Sequence, residues 1–131
     1  MDKHFTLEIV TPVKTVNFEE VEYLRAPSLE GLFGVMPGHV SSIINLDIGE
    51  VKVLSNKKED YFAVGGGFAQ VAKDKVSLLV ESIELKSDID KERSNEALKR
   101  AQSRLKDKSM NQNRASLALA RAKNRLKVSN R

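Results

Sequence analysis

Apolar residues recur at every second position through the first two thirds of the chain, and at helical spacing after a polar joint at residues 84–93. Phe5, Leu7 and Ile9 alternate with Thr6 and Glu8 and stop at Thr11-Pro12, the pattern of a half-buried strand followed by a turn. Val21 and Tyr23 alternate with Glu20 and Glu22 in the same way. The stretch from Ser28 to His39, with Gly31, Gly34, Pro37 and Gly38, reads as a structured loop. Apolar packing resumes at Ile43, Ile44, Leu46 and Ile48, continues through Val51 and Val53, and breaks at a polar turn, residues 55–60. Tyr61 to Ala72 and Val76 to Leu85 then read as two strands joined by the loop Lys73-Asp74-Lys75. Many short strands separated by turns argue for an antiparallel sandwich or barrel, and a β-sandwich is expected over residues 1–86.

Beyond the joint the period changes. Ser94, Leu98, Ala101 and Leu105 are spaced four, three, four, and Ala115, Leu119, Ala122 and Leu126 repeat that spacing. This is the seam of two helices packed along their length, with Asp107 to Asn111 as the reversal. Residues 87–131 are therefore expected to form an antiparallel two-helix hairpin. Its seam is half alanine and serine, so it buries little area and should be marginal alone; it must lean on the sandwich or on a partner.

Charge divides at the same place. Residues 1–86 carry 9 Lys and Arg against 13 Asp and Glu, a net of −4, whereas residues 87–131 carry 13 against 5, a net of +8. An anionic partner should therefore meet the hairpin. The 131 residues suffice for one small core, and the absence of cysteine excludes disulfides and thiolate metal sites and fits a reducing compartment. The start, Met1-Asp2-Lys3-His4, leads into alternation without a long apolar run, which argues against a signal peptide or a membrane span.

No motif of a catalyst is present. The chain lacks G-x-S-x-G, G-x-x-x-x-G-K-[ST] and H-E-x-x-H, and its two histidines, His4 and His39, are 35 positions apart. Gly65-Gly66-Gly67 leads into the strand-like Phe68-Ala69-Gln70-Val71, so it reads as a bulge or close strand contact, not a phosphate loop. His39, after a Pro-Gly turn, reads as contact surface.

The arginines carry the candidate chemistry. Arg93 and Arg100 lie two turns apart on one face of the first helix, and Arg121 and Arg125 lie one turn apart on the second. If the helices fold back about residues 107–111, all four guanidinium groups converge, and a triphosphate supplies matching charge and bidentate acceptors. Solvated faces of two basic helices are the common alternative. Asp90, with Glu92 in the first turn, also reads as a helix cap. A nucleic-acid-binding hairpin is a second functional reading, but the lengthwise seam and the absence of aromatic residues after Phe68 tell against it. An anionic-membrane binder is weaker still, because the apolar stripe is mostly alanine.

Over essentially its whole length the chain resembles the epsilon subunit of F-type ATP synthases. Glu30-Gly31-Leu32-Phe33-Gly34-Val35-Met36-Pro37-Gly38-His39 is similar to that family's glycine-rich loop ending in Pro-Gly-His, and Gly65-Gly66-Gly67-Phe68 with Val71 resembles its strand after the central turn. The resemblance implies a non-catalytic, peripheral central-stalk subunit on the cytoplasmic face of the bacterial inner membrane. Its sandwich would bind the gamma subunit and the c-ring, with Glu30, Gly31, Pro37, Gly38 and His39 as contact residues. Its hairpin would switch between compact and extended forms, the extended one reaching the catalytic alpha and beta subunits and inhibiting ATP hydrolysis. No cofactor is implied, but some bacterial members hold the hairpin compact with a regulatory ATP, through a motif that here reads Ile89-Asp90-Lys91-Glu92-Arg93-Ser94, with serine where the family has alanine. The matching ligand set is Glu84, Ile89, Asp90, Arg93, Ser94, Arg100, Arg121 and Arg125, with ATP as ligand and not substrate.

Overall fold

The computed structural model of the chain describes residues 4–38 and 41–131. Seven strands come first: β1 (Phe5–Val10), β2 (Thr15–Ser28), β3 (Gly31–Val35), β4 (Ser42–Ser55), β5 (Lys58–Val71), β6 (Lys75–Val80) and β7 (Ile83–Leu85). A single 3-10 turn, Lys86–Asp88, leads to α1 (Lys91–Lys106) and α2 (Gln112–Ser129). The strands hydrogen-bond in the order β1-β6-β5-β4-β2-β3, and β1 also pairs with β2. That extra pairing closes five strands on themselves, so the sandwich is also a small barrel.

Alternation along the strands builds its core. Leu7, Ile9, Val21, Leu24, Val51, Val53, Phe62 and Leu78 are fully enclosed, and Phe18 meets Phe62 edge to face with ring centroids 5.6 Å apart. The turn between β4 and β5 is two residues, Asn56 and Lys57, both at positive φ, the backbone that matches the twist of a tight hairpin.

The sandwich expected from the strand pattern is present, with three details that the pattern did not carry. β1 and β6 pair in parallel, the exception in an otherwise antiparallel set. Part of the loop assigned to residues 28–39 is a strand: β3 pairs with Leu24 to Ser28 of β2, across a turn in which the Ser28 hydroxyl donates to the Gly31 carbonyl at 2.6 Å. The expected strand from Val76 to Leu85 is broken at Glu81-Ser82, so that β6 and β7 pair with different halves of β5.

The hairpin folds back about residues 107–111, as the seam predicts. Ala101 of α1 and Ala115 and Ala122 of α2 are buried between the helices, and each helix starts under a side-chain cap, Asp90 for α1 and Asn111 for α2. α2 lies on β4 and β5, whereas α1 packs on α2. Among the described residues no helix is long and apolar enough to cross a membrane.

Of the two readings of Gly65-Gly66-Gly67, the close strand contact is the one present, since β5 keeps register with β4 through this stretch. Gly67 has φ +145, and a Cβ there would run into the backbone carbonyl oxygen of Leu79 on β6. Gly31 has φ +124 but open space around it. Gly67→Ala should therefore cost roughly 2–4 kcal/mol and Gly31→Ala about 1 kcal/mol of backbone strain. Urea unfolding of the two variants measures the difference; equal losses would show that the approach of β5 to β6 is not what fixes Gly67.

Candidate functional site

Where the hairpin begins, the chain places groups of both charges around one cleft. It encloses about 350 Å³ and is lined by Glu84 of β7, Asp88 and Asp90 of the connecting segment, Arg93, Ser94 and Arg100 of α1, and Arg125 of α2. Arg93 and Arg100 are seven residues apart on α1, and the antiparallel return of α2 brings Arg125 to their side. Arg125 Nε donates to Glu84 Oε1 at 2.5 Å, a charge-assisted bond between hairpin and sandwich. Asp90 is the cap expected of it, its Oδ1 accepting from the Arg93 backbone N–H at 3.1 Å, and it lines the cleft as well.

Two residues of the expected ligand set lie elsewhere. Ile89 is buried against Ala63 and Val128, where it fastens the start of the hairpin to the sheet. Arg121 lines an adjoining cleft with Arg100, Arg104 and Arg125, so three of the four guanidinium groups share the first cavity and the fourth stands one step along the groove. The cavity is also less cationic than the arginine spacing suggests, because Glu84, Asp88, Asp90 and Glu96 are on its walls.

Of the expected contact residues, Glu30 and Gly31 stand exposed at the β2–β3 turn, with Pro37 half-buried and Gly38 exposed beyond β3; His39 lies outside the described residues. Leu29, Leu32, Met36 and Ile43 are large apolar side chains exposed at this end, and Leu29 and Ile43 share a shallow cleft with Glu30. Among the described residues no group of three His, Asp or Glu side chains is placed to hold a metal.

The sequence reading missed the strongest contact between the two halves. Glu50 of β4 is 5% exposed, and Arg131 grips it with both ends of its guanidinium, Nε to Oε2 at 2.9 Å and Nη2 to Oε1 at 2.7 Å. Arg25 Nη2 adds a bond to Oε1 at 3.1 Å. The Arg131 guanidinium also stacks 5.2 Å from the centre of the Tyr61 ring. Two turns earlier, Asn124 Nδ2 donates to the Gly49 carbonyl at 2.7 Å. Burial pushes the Glu50 carboxyl up, but the bonds and charge of Arg131, with Lys127 and Arg25, outweigh it and hold the group below the usual glutamate range. The Arg131 guanidinium is held more firmly protonated by the same pair. The signal that exposes this docking face is the run Tyr61-Phe62-Ala63-Val64, where alternation lapses because one face of β5 meets the core and the other meets α2.

Residues 4–86 match the family description "ATP synthase, Delta/Epsilon chain, beta-sandwich domain", and residues 87–130 match "ATP synthase, Delta/Epsilon chain, long alpha-helix domain". The chain belongs to the delta/epsilon family of ATP synthase subunits. It is 44% identical over 130 residues to the ATP synthase epsilon chain of Bacillus cytotoxicus, covering 98% of both chains. It is also 44% identical over 131 residues to that of Nitratidesulfovibrio vulgaris strain DP4, covering 98% of this chain and 97% of the other. In fold it is similar to a chain of the mitochondrial ATP synthase of Euglena gracilis, solved as the OSCP/F1/c-ring assembly, with a TM-score of 0.87, 22% identity, and coverage of 100% of this chain and 84% of that one. As an epsilon chain it is a structural and regulatory subunit and not itself the catalyst.

Glu50 generates a signed pH dependence. Its carboxyl is depressed in the folded state, so the stability it confers is fully present above the ordinary value of 4.5 and is lost as pH falls through the lower folded value. Glu50→Gln should cost roughly 2 kcal/mol near neutral pH, because the partner guanidinium groups lose a charged acceptor. Unfolding free energies measured from about pH 6 down to about pH 3 should converge for parent and variant. A gap that does not narrow on acidification contradicts the assignment.

Proposed function

We propose that this chain is a central-stalk subunit that couples the catalytic head of a rotary ATP synthase to its c-ring, and that its hairpin is an ATP-sensitive brake on hydrolysis. The observation that carries the switch is the cleft where Arg93 and Arg100 of α1, Arg125 of α2 and Glu84 of the sandwich meet. A ligand seated there touches both helices and the sheet, so it stabilises the folded-back arrangement and no arrangement in which these elements part. The triphosphate would lie against the three guanidinium groups and compete with Glu84 for Arg125. The surrounding carboxylates would accept from nucleoside hydroxyl and amino groups. None of these residues activates water toward a phosphorus atom, which suits a regulatory ligand.

The partner reading rests on the other end of the molecule. The exposed Leu29, Leu32, Met36 and Ile43, next to Glu30, Gly31, Pro37 and Gly38, offer an apolar rim of the kind a protein partner covers. The gamma subunit and the c-ring are the partners that the family resemblance assigns to it. Residues 1–86 are then the rotor-binding domain and residues 87–131 the regulatory one. Binding through the complex would make the chain peripheral, on the cytoplasmic face of a bacterial inner membrane. With the hairpin extended, Arg114, Lys123 and Lys127 beside the cleft arginines would face acidic surface on the alpha and beta subunits.

Truncation after Lys86 should leave rotor binding intact and raise ATP hydrolysis by the reconstituted complex; an unchanged hydrolysis rate removes the brake and spares the docking role. Calorimetry on the intact chain tests the ligand separately. ATP should bind, and Arg93→Ala and Arg125→Ala should each weaken binding by about 1.5–3 kcal/mol, the worth of a hydrogen bond to a charged group. An absence of heat at millimolar ATP rejects the nucleotide.

A further inference from the structure

The arginines of the hairpin follow one rule on both helices. On α1 they stand at 93, 100 and 104, and on α2 at 114, 121 and 125, so each helix repeats the spacing seven then four. At 3.6 residues per turn each trio falls on a single face. The two faces look onto the same groove. Arg93, Arg100 and Arg125 line the cleft beside Glu84, Arg100, Arg104, Arg121 and Arg125 line the next, and Arg104, Arg114 and Arg121 line the last, at the hairpin tip. Each cleft shares arginines with its neighbour, so the groove is continuous over about 16 Å of helix, at 1.5 Å per residue.

The tip end differs from the end beside the sandwich. It encloses about 410 Å³ over a floor of Ala115 and Ala118, and no carboxylate lines it. The first turn of α2, which opens onto it under Asn111, contains no acidic residue. Among the described residues, Arg104, Arg114 and Arg121 have no ion-pair partner, and Arg125 alone of the six is neutralised, by Glu84. Three cations drawn from two helices around an open cavity repel one another and oppose the packing of the seam, unless an anion lies between them.

We propose that this groove binds linear inorganic polyphosphate, with Arg104, Arg114 and Arg121 forming a second phosphate subsite at the tip. A linear chain of phosphates matches the run of overlapping arginine-lined clefts along the groove, whereas a single triphosphate occupies only one of the three. Nucleic acid fits less well, because the hairpin has no aromatic side chain on which a base could stack. Arg121 belongs to both readings, whereas Arg104 and Arg114 do not line the cleft beside Glu84 and separate the two.

Calorimetry on the full chain with orthophosphate, tripolyphosphate and a long-chain polyphosphate tests this. The long chain should bind on the order of tenfold or more tighter than tripolyphosphate, with steep salt dependence. The double variant Arg104→Ala, Arg114→Ala should lose on the order of tenfold of that affinity and flatten the salt slope while still binding ATP, because neither side chain lines the cleft beside Glu84. Arg104 and Arg114 are exposed, and an unchanged helical circular dichroism signal confirms that the variant is folded. The doubly lysine-substituted protein, Arg104→Lys and Arg114→Lys, should retain most of the binding. Polyphosphate affinity unaltered in the alanine variant overturns the proposal. So does equal affinity for single-stranded DNA or polyglutamate of matched charge, or binding confined to vesicles of anionic phospholipid.

Discussion

A buried carboxylate holds the two halves of this molecule together. Glu50 sits in the face of β4 that α2 covers, and without the Arg131 and Arg25 guanidinium groups it would be a charge removed from water with nothing to offset the cost. The sheet and the hairpin therefore specify each other: the helix shields the acid, and the acid fixes the end of the helix. Asn124 on the Gly49 carbonyl and Ile89 with Val128 against Ala63 add a polar and an apolar contact along the same seam. The apolar share is small, so docking rests on directional polar bonds to a degree unusual for a helix on a sheet.

On the proposed reading, the cleft beside Glu84 is where a ligand would act on that balance. Its apolar support is the small cluster of Ile89, Ala63 and Val128 beside it, and one of its arginines is already engaged by the sandwich. A ligand there adds to an attachment that is weak without being absent. The net charges of −4 and +8 act in the same sense, drawing the halves together while leaving the hairpin repelled from itself.

The sequence made the division at residues 84–93 legible because period and charge change together there. The helix seam was legible because Ser94, Leu98, Ala101 and Leu105, and then Ala115, Leu119, Ala122 and Leu126, repeat a four-three-four spacing. β3 was not, since Gly31 and Gly34 carry no alternation and its register comes only from pairing with β2. The parallel pairing of β1 with β6 is a contact between residues about 69 positions apart, as in Thr6 with Lys75, and no local signal encodes it. In the site, the meeting of Arg93, Arg100 and Arg125 followed from helix geometry alone. The grip of Arg131 on Glu50 spans 81 positions, and Glu50 looks like any outward residue of an alternating strand until the helix is laid over it.

The order of attachment has a mechanical consequence. α1 reaches the sheet mainly through α2, and its only covalent tie to the sandwich is the short passage Lys86 to Asp90. A change of backbone angle at Ile89 and Asp90 acts on the base of a 16-residue rod, about 24 Å long, so a swing of one radian carries its far end by roughly its own length. The pivot is small and the displacement it could produce is large, and in the folded-back arrangement Glu84 and Glu50 hold the hairpin to the sandwich.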